Sequence, residues 1–316
     1  MLKFTSAAVL FLALTIVSTN PLRVQKRATT SDEATIGYAT LSGGTTGGGA
    51  AAPVTVTTLD ALKDALTNGS KVIAISGTII GKEIVEVPSS TTVIGKSGAI
   101  LAGVGLRVID VSNVIIRNLK INKVTADVGA ALRLQASNKT WIDSVELWSD
   151  RNHDQDYYGG LLDITHGCYA VTVTNSYLHD HWKASLVGQS DSNKPEDAAI
   201  QVTYAYNKWY NLNSRIPSFR FGHGHIFNNY FIMNDDGINA GGGAQLLVQN
   251  NVFEGVGKPL YSTDNGCANA SGNDFGGGNN TALATTWSSV GYSYAMKDVS
   301  EVKAYVESVA GAKLFY

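Results

Sequence analysis

The chain predicts an all-β protein: a parallel β-helix with short capping helices and with loops that form a substrate cleft. Three observations carry that expectation. First, short β-prone runs recur through the middle of the chain, each ending in Asn or Asp: Val114–Asn118, Thr140–Asp143, Val171–Asn175, Val202–Asn207, His225–Asn228 and Leu246–Asn250. Their last residues are spaced by 25, 32, 32, 21 and 22, a period near 22 with extra residues in two intervals. Second, those two long intervals are polar and acidic. Third, helical periodicity occurs only near the two ends. A repeat of this length reads as one coil of short strands, and only stacked coils bury a continuous core. An antiparallel sandwich with Asn-rich turns is the alternative, and the repeat favours the β-helix.

The ends come first in the chain's own order. Lys3 precedes an uncharged run from Ala7 to Val17. A basic start followed by a short apolar core reads as a secretory signal over 1–19, too short for a comfortable membrane span. Residues 20–27 end in Lys26-Arg27, the pattern of a propeptide processing site. A single domain is then expected over 28–316. Removing residues through Arg27 takes Lys3, Arg23, Lys26 and Arg27 and no acid, leaving 20 basic against 26 acidic side chains, net −6. A secreted, mildly acidic protein follows, with no membrane partner. There is no broad basic footprint, so no nucleic-acid partner is expected. The composition, 16% charged and 44% apolar, excludes a disordered chain.

Residues 28–56 are rich in Gly, Thr and Ala. Thr57 or Thr58 then caps a helix with Leu59, Leu62 and Leu66 on one face. A second helical pattern, near Asp298–Ala310, carries Val299, Val302, Val306 and Val309. A helix at each end would cover the open strands. Asn suits the turn between coils, because its short amide tolerates left-handed backbone and bonds to local main chain; stacked coils would let these amides bond in a ladder. The long intervals, Ser149–Gly160 and Gly188–Asp197, read as loops beside the flat face of the β-helix, a cleft suited to an extended polymer. Cys168 and Cys267 could pair in an oxidising compartment, and Asn68, Asn138, Asn269 and Asn279 head glycosylation sequons.

Three stretches carry chemistry. Asp163 sits between apolar residues in Leu161-Leu162-Asp163-Ile164, where a carboxylate is costly unless paired or metal-bound. Lys183 follows His179-Asp180-His181-Trp182, which reads mostly as a hydrogen-bonding cluster, since adjacent strand residues face opposite ways. Arg215 and Arg220 bracket a Pro turn and could face an anionic ligand.

From Trp141 to about Asn265 the chain closely resembles fungal pectate lyases of polysaccharide lyase family one. The strings are WID at 141–143, SDRNHD at 149–154, GLLDITH at 160–166, HDHWKASLVG at 179–188, SDSN at 190–193, NSRIPSFRFG at 213–222, GHIFNNYF at 224–231 and KPLYSTDNG at 258–266. The resemblance implies a right-handed β-helix, a secreted monomer, and Ca²⁺-assisted β-elimination of de-esterified polygalacturonate (pectin). It assigns the base to Arg215 and the substrate-carboxylate cations to Arg220 and Lys183. It also implies that Asp163 is a Ca²⁺ ligand.

The metal site is where the chain departs from the family. Acids expected four residues before Asp163 and near Asp127 are here Gly159 and Ala130. Asp127 is close enough in sequence to contribute. After Ile238, Ala240-Gly241-Gly242 replaces a more polar pattern. Three readings stay open: a lyase whose substrate carboxylates complete the Ca²⁺ shell, a metal-independent lyase of esterified pectin, and a non-catalytic pectin-binding protein. Retention of Lys183, Arg215 and Arg220 favours a lyase. A local patch of these three with Arg151, or Ca²⁺ bridging, would receive the polyanion, and metal dependence is expected even with a depleted protein site.

Overall fold

The computed structural model describes Met1, residues 27–69 and residues 71–316. Apart from Met1 and Arg27, the expected signal segment and propeptide lie outside the described residues. The rest is a parallel β-helix with three faces, right-handed as parallel crossovers almost always are. The first face is an eleven-stranded parallel sheet that runs in chain order from Val54–Val56 to Leu283–Ala284. The other two faces part at the long strand Ile100–Ile109. Its residues 100–102 pair with Lys120–Asn122, and residues 106–109 pair with Leu132–Gln135. Each later coil visits a first-face strand, a short second-face strand and a third-face strand.

The core follows from that register. Successive side chains alternate across a strand, so every second residue points inward and stacks in columns from coil to coil. On the first face one such column is Ile73, Val93, Ile116, Ile142, Val173, Tyr204, Ile226 and Val248, all fully buried. On the second face Leu101, Ile121, Leu147 and Leu178 give way to Trp209, Phe231 and Phe253. Those rings stack, with Phe231 and Phe253 centroids 4.5 Å apart. Each such aliphatic or aromatic side chain contributes roughly 1.5–3 kcal/mol by leaving water.

The turn leaving the first face shows where the sequence repeat was one residue out of step. The residues that stack there are Asn118, Ser144, Asn175, Tyr206, Asn228 and Asn250, each with φ between 48° and 63°. Asp143 and Asn207, expected at this position, fall just before and just after it. The amide ladder exists, in the next column inward. Asn207 Nδ2 donates to Asn229 Oδ1, Asn229 Nδ2 to Asn251 Oδ1, and Asn251 Nδ2 to Asn273 Oδ1, at 2.9–3.0 Å. Asn207, Asn229 and Asn251 are fully buried.

Helix α1 (Leu59–Thr67) begins at Thr58, whose hydroxyl accepts from Ala61 N, and buries Leu62 and Leu66 against the first coil. A single short turn, α2 (Lys194–Asp197), forms within the loop expected over 188–197. Helix α3 (Val299–Val309) is capped by Asp298 as its sequence suggests. Its Val302 and Val306 pack on Tyr230 and Val252, so it lies along the flank of the coils. The chain turns back before it: Tyr292 bonds Thr203, Lys297 N donates to Asn228 Oδ1, Gly311 N to Asn175 O and Leu314 N to Asn118 Oδ1. The outward amides of the turn column thus anchor a C-terminal arm that returns along the stack to Arg27.

Both thiols are free. Cys168 precedes Tyr169, and Cys267 stacks four coils further along. At ~4.8 Å per coil that is far beyond disulfide reach. Of the sequon residues, Asn68 and Asn279 are exposed, whereas Asn138 and Asn269 lie in half-buried strand positions.

Candidate active site

The two longest coils build a cleft over the third face. Residues 149–160 connect Glu146–Trp148 on the second face to Leu162–Thr165 on the third, and residues 188–200 connect Ser185–Val187 on the third face to Gln201–Ala205 on the first. The loops therefore rise from opposite edges of the same face. Lys183 and Arg215 sit at the first edge, at the ends of the adjacent strands Tyr177–Lys183 and Lys208–Ser214. Arg215 turns there with φ 61°, and its carbonyl accepts from Ser185 N at 2.6 Å. Arg220 ends the third-face strand Ser218–Arg220, towards the other loop.

The three cations are not equivalent. Lys183 Nζ lies 2.8 Å from Asp156 Oδ1 of the first loop, and Arg220 Nε 2.9 Å from Asp191 Oδ1 of the second. Both carboxylates are exposed. Among the described residues, the Arg215 guanidinium has no hydrogen bond or ion pair. It is half-buried, and burial, with Arg220 and Arg133 nearby, holds its pKa below the usual guanidinium value, against the pull of Asp163 and Asp156. Arg151 is spoken for: it bonds Asp235 and Asn211 and stacks on Trp182.

The histidines behave as a structural cluster. His181 is buried, accepts from Lys183 N at 2.9 Å, and is held neutral by burial and by Lys183 and Arg215, its pKa pushed down to about 3. His179 faces the other way, stacked on Tyr177 and bonded to Asp180.

Asp163 points outward from Leu162–Thr165 yet is only 3% exposed. Among the described residues its Oδ1 is buried without a hydrogen-bond partner, and burial pushes its pKa up, against Arg215 and Arg133. Arg133 stands in the same register position one coil earlier, with Nη2 3.4 Å from Asp163 Oδ2. Arg107 comes one coil before that. Sequence reasoning missed Arg133. The signal was present, because Arg133 is bracketed by Leu132 and Leu134 as Asp163 is by Leu162 and Ile164.

An orphaned buried carboxylate oxygen invites a cation, but the donor set does not fit calcium. Ca²⁺ takes six to eight oxygens, with several carboxylates among them. Asp163 stands with two arginines. Ala130 is fully buried. At Gly159 a Cβ would lie 1.7 Å from Gly129 O, so the backbone of the preceding coil fills the space an acid would need. Asp127 is held elsewhere, by Lys82 at 2.8 Å and Thr125 at 2.5 Å on an exposed loop. Among the described residues no three His, Cys, Asp or Glu side chains converge as a metal site.

The pectate lyase family profile matches residues 6–314. Pectate lyase A of Aspergillus niger is 50% identical over 295 residues, covering 92% of this chain and 91% of the relative. Pectate lyase A of Emericella nidulans is 49% identical over 325 residues, covering 100% and 99%. The solved structure of a Bacillus sp. N165 pectate lyase in complex with trigalacturonate superposes with a TM-score of 0.79 at 30% identity, covering 88% of this chain and 98% of that one.

Proposed function

The chain belongs to the pectate lyase family and is a polysaccharide lyase, and from that premise we propose that it cleaves de-esterified polygalacturonate by β-elimination, with Arg215 as the base. The observation that carries this reading is the asymmetry among the three cations. Lys183 and Arg220 each already hold a carboxylate from a loop, while the Arg215 guanidinium is unpaired among the described residues and half-buried. A uronate carboxylate entering the cleft replaces Asp156 and Asp191 on the two paired cations. That placement brings the C5 hydrogen of the sugar towards Arg215.

The chemistry then follows from charge. A C5 proton is a poor acid while the neighbouring carboxylate is fully negative. Lys183 and Arg220 neutralise it and stabilise the enolate-like charge that develops as the proton leaves. Arg215 in its neutral form takes that proton. The C5–H electron pair becomes the C4–C5 double bond, the C4–O bond breaks, and the leaving oxygen takes a proton from water. An arginine base works only if its ionised form is destabilised, and burial beside Arg220 and Arg133 does this.

The family is generally calcium-dependent. The residues here do not fit a resident ion. Of the two carboxylates expected as ligands, Asp163 belongs to the cleft and Asp127 to an exposed ion pair. The enzyme acts outside the cell, after removal of the segment that ends at Lys26-Arg27. Mass spectrometry of the products from a defined oligogalacturonate tests the reaction type. Elimination yields an unsaturated fragment one water lighter than the corresponding hydrolysis product, and finding the hydrated fragment instead contradicts the reading.

A further inference from the structure

We infer that Arg133 supplies, beside Asp163, the positive charge that the family's metal ion would bring, so that this chain holds no resident calcium and turns over without it. The inference rests on the lyase reading above. Four observations converge. The register stacks Arg107, Arg133 and Asp163 in one outward column of the third face, the floor of the cleft. Arg133 reaches Asp163 at 3.4 Å, and a third of its side chain remains exposed to the cleft. Arg107 adds a second guanidinium to the column, its Nε buried without a partner among the described residues. The acid positions that would outweigh these charges are Gly159, whose space is taken by Gly129, and Ala130, which is buried.

Charge decides between ion and guanidinium. One carboxylate cannot hold a divalent cation against the neighbouring Arg133 and Arg215 guanidiniums, whereas it can orient Arg133. Asp163 orients Arg133 and leaves the rest of its planar donor set free for a uronate carboxylate. In this arrangement Asp163 is a positioning residue and Arg133 a substrate-binding one.

The test pairs a binding measurement with a kinetic one, on the whole protein. Calorimetric titration of the wild-type chain with calcium chloride should give no stoichiometric binding up to about millimolar concentration. Initial rates on tetragalacturonate, too short to gel with calcium, should agree within about twofold in chelator and in added calcium. Arg133→Ala should lose about tenfold or more in kcat/KM, mostly through KM, and Arg133→Lys should recover part of it. One calcium bound per chain at micromolar concentration and lost in Asp163→Asn overturns the inference. So does a large loss of rate in chelator, or an unaffected Arg133→Ala. If the wild type forms no unsaturated product with or without calcium, the lyase reading fails, and the calorimetry still decides whether the column excludes the ion.

Discussion

Lys183 and Asp156 meet at 2.8 Å across the cleft edge, the lysine largely covered and the aspartate 77% exposed. The pair holds the lysine in place with a carboxylate from the protein's own loop. Asp191 does the same for Arg220. A polyanionic substrate must therefore compete with two internal anions.

Releasing that competition should favour binding. Asp156→Asn and Asp191→Asn are each expected to lower KM for oligogalacturonate with little change in kcat. Exposed ion pairs are weak, so the gain should not exceed about fivefold each. A KM that rises instead would show that these acids help to bind substrate.

The base predicts a pH profile. The proposed mechanism needs Arg215 as neutral guanidine, and burial lowers its pKa from a value that starts well above the working range. The neutral fraction then grows tenfold for each pH unit below that pKa. Log kcat/KM should climb with a slope near one through the alkaline range, and Lys183→Ala should not abolish the slope. A bell centred near neutrality would point to a different base.

Stability carries its own pH signature. His181 and His225 are buried and neutral, with pKa values pushed down to about 3 and about 4 by burial. The unfolded chain takes up these protons near pH 6.5 and the folded chain does not. Stability is therefore full above about pH 6.5 and falls by roughly 1.4 kcal/mol per pH unit for each histidine as the pH drops towards the folded values. Denaturant unfolding between pH 7 and pH 4 should show this slope, and His225→Asn should reduce it.

The Asn ladder should be sensitive to single changes. Asn251 donates to Ile226 O and Asn273 Oδ1 and accepts from Asn229. Asn251→Leu strands several buried polar groups and should cost about 3 kcal/mol or more. An exposed strand position such as Asn280→Ala should cost far less in the same denaturation assay.

Much of this was legible in the residues, and the limits were physical. The coil period came through because each turn needs left-handed backbone, for which Asn is favoured. Ser144 and Tyr206 occupy the same turn without that signature, so two assigned positions slipped by one residue. The start of α1 was readable to within Thr57 or Thr58 and α3 as a pattern near Asp298–Ala310, but the resting place of α3 depends on an arm that returns along the stack, which local pattern does not encode. Lys183, Arg215 and Arg220 stood out by resemblance. Arg133 carried a local signal, a charge between Leu132 and Leu134, but its meaning lies in a register match with Asp163, 30 residues away. Likewise, the consequence of Gly159 appears only once Gly129 is seen behind it.

Arg215 is the residue proposed to remove the C5 proton in the elimination. The most direct test follows the ultraviolet absorbance of the 4,5-unsaturated product from polygalacturonate, for the wild type and for Arg215→Ala. The wild type should produce the chromophore, and the variant, folded and unfolding at a similar denaturant concentration, should lose at least about a thousandfold in rate. A folded Arg215→Ala that keeps most of the wild-type rate would contradict the account.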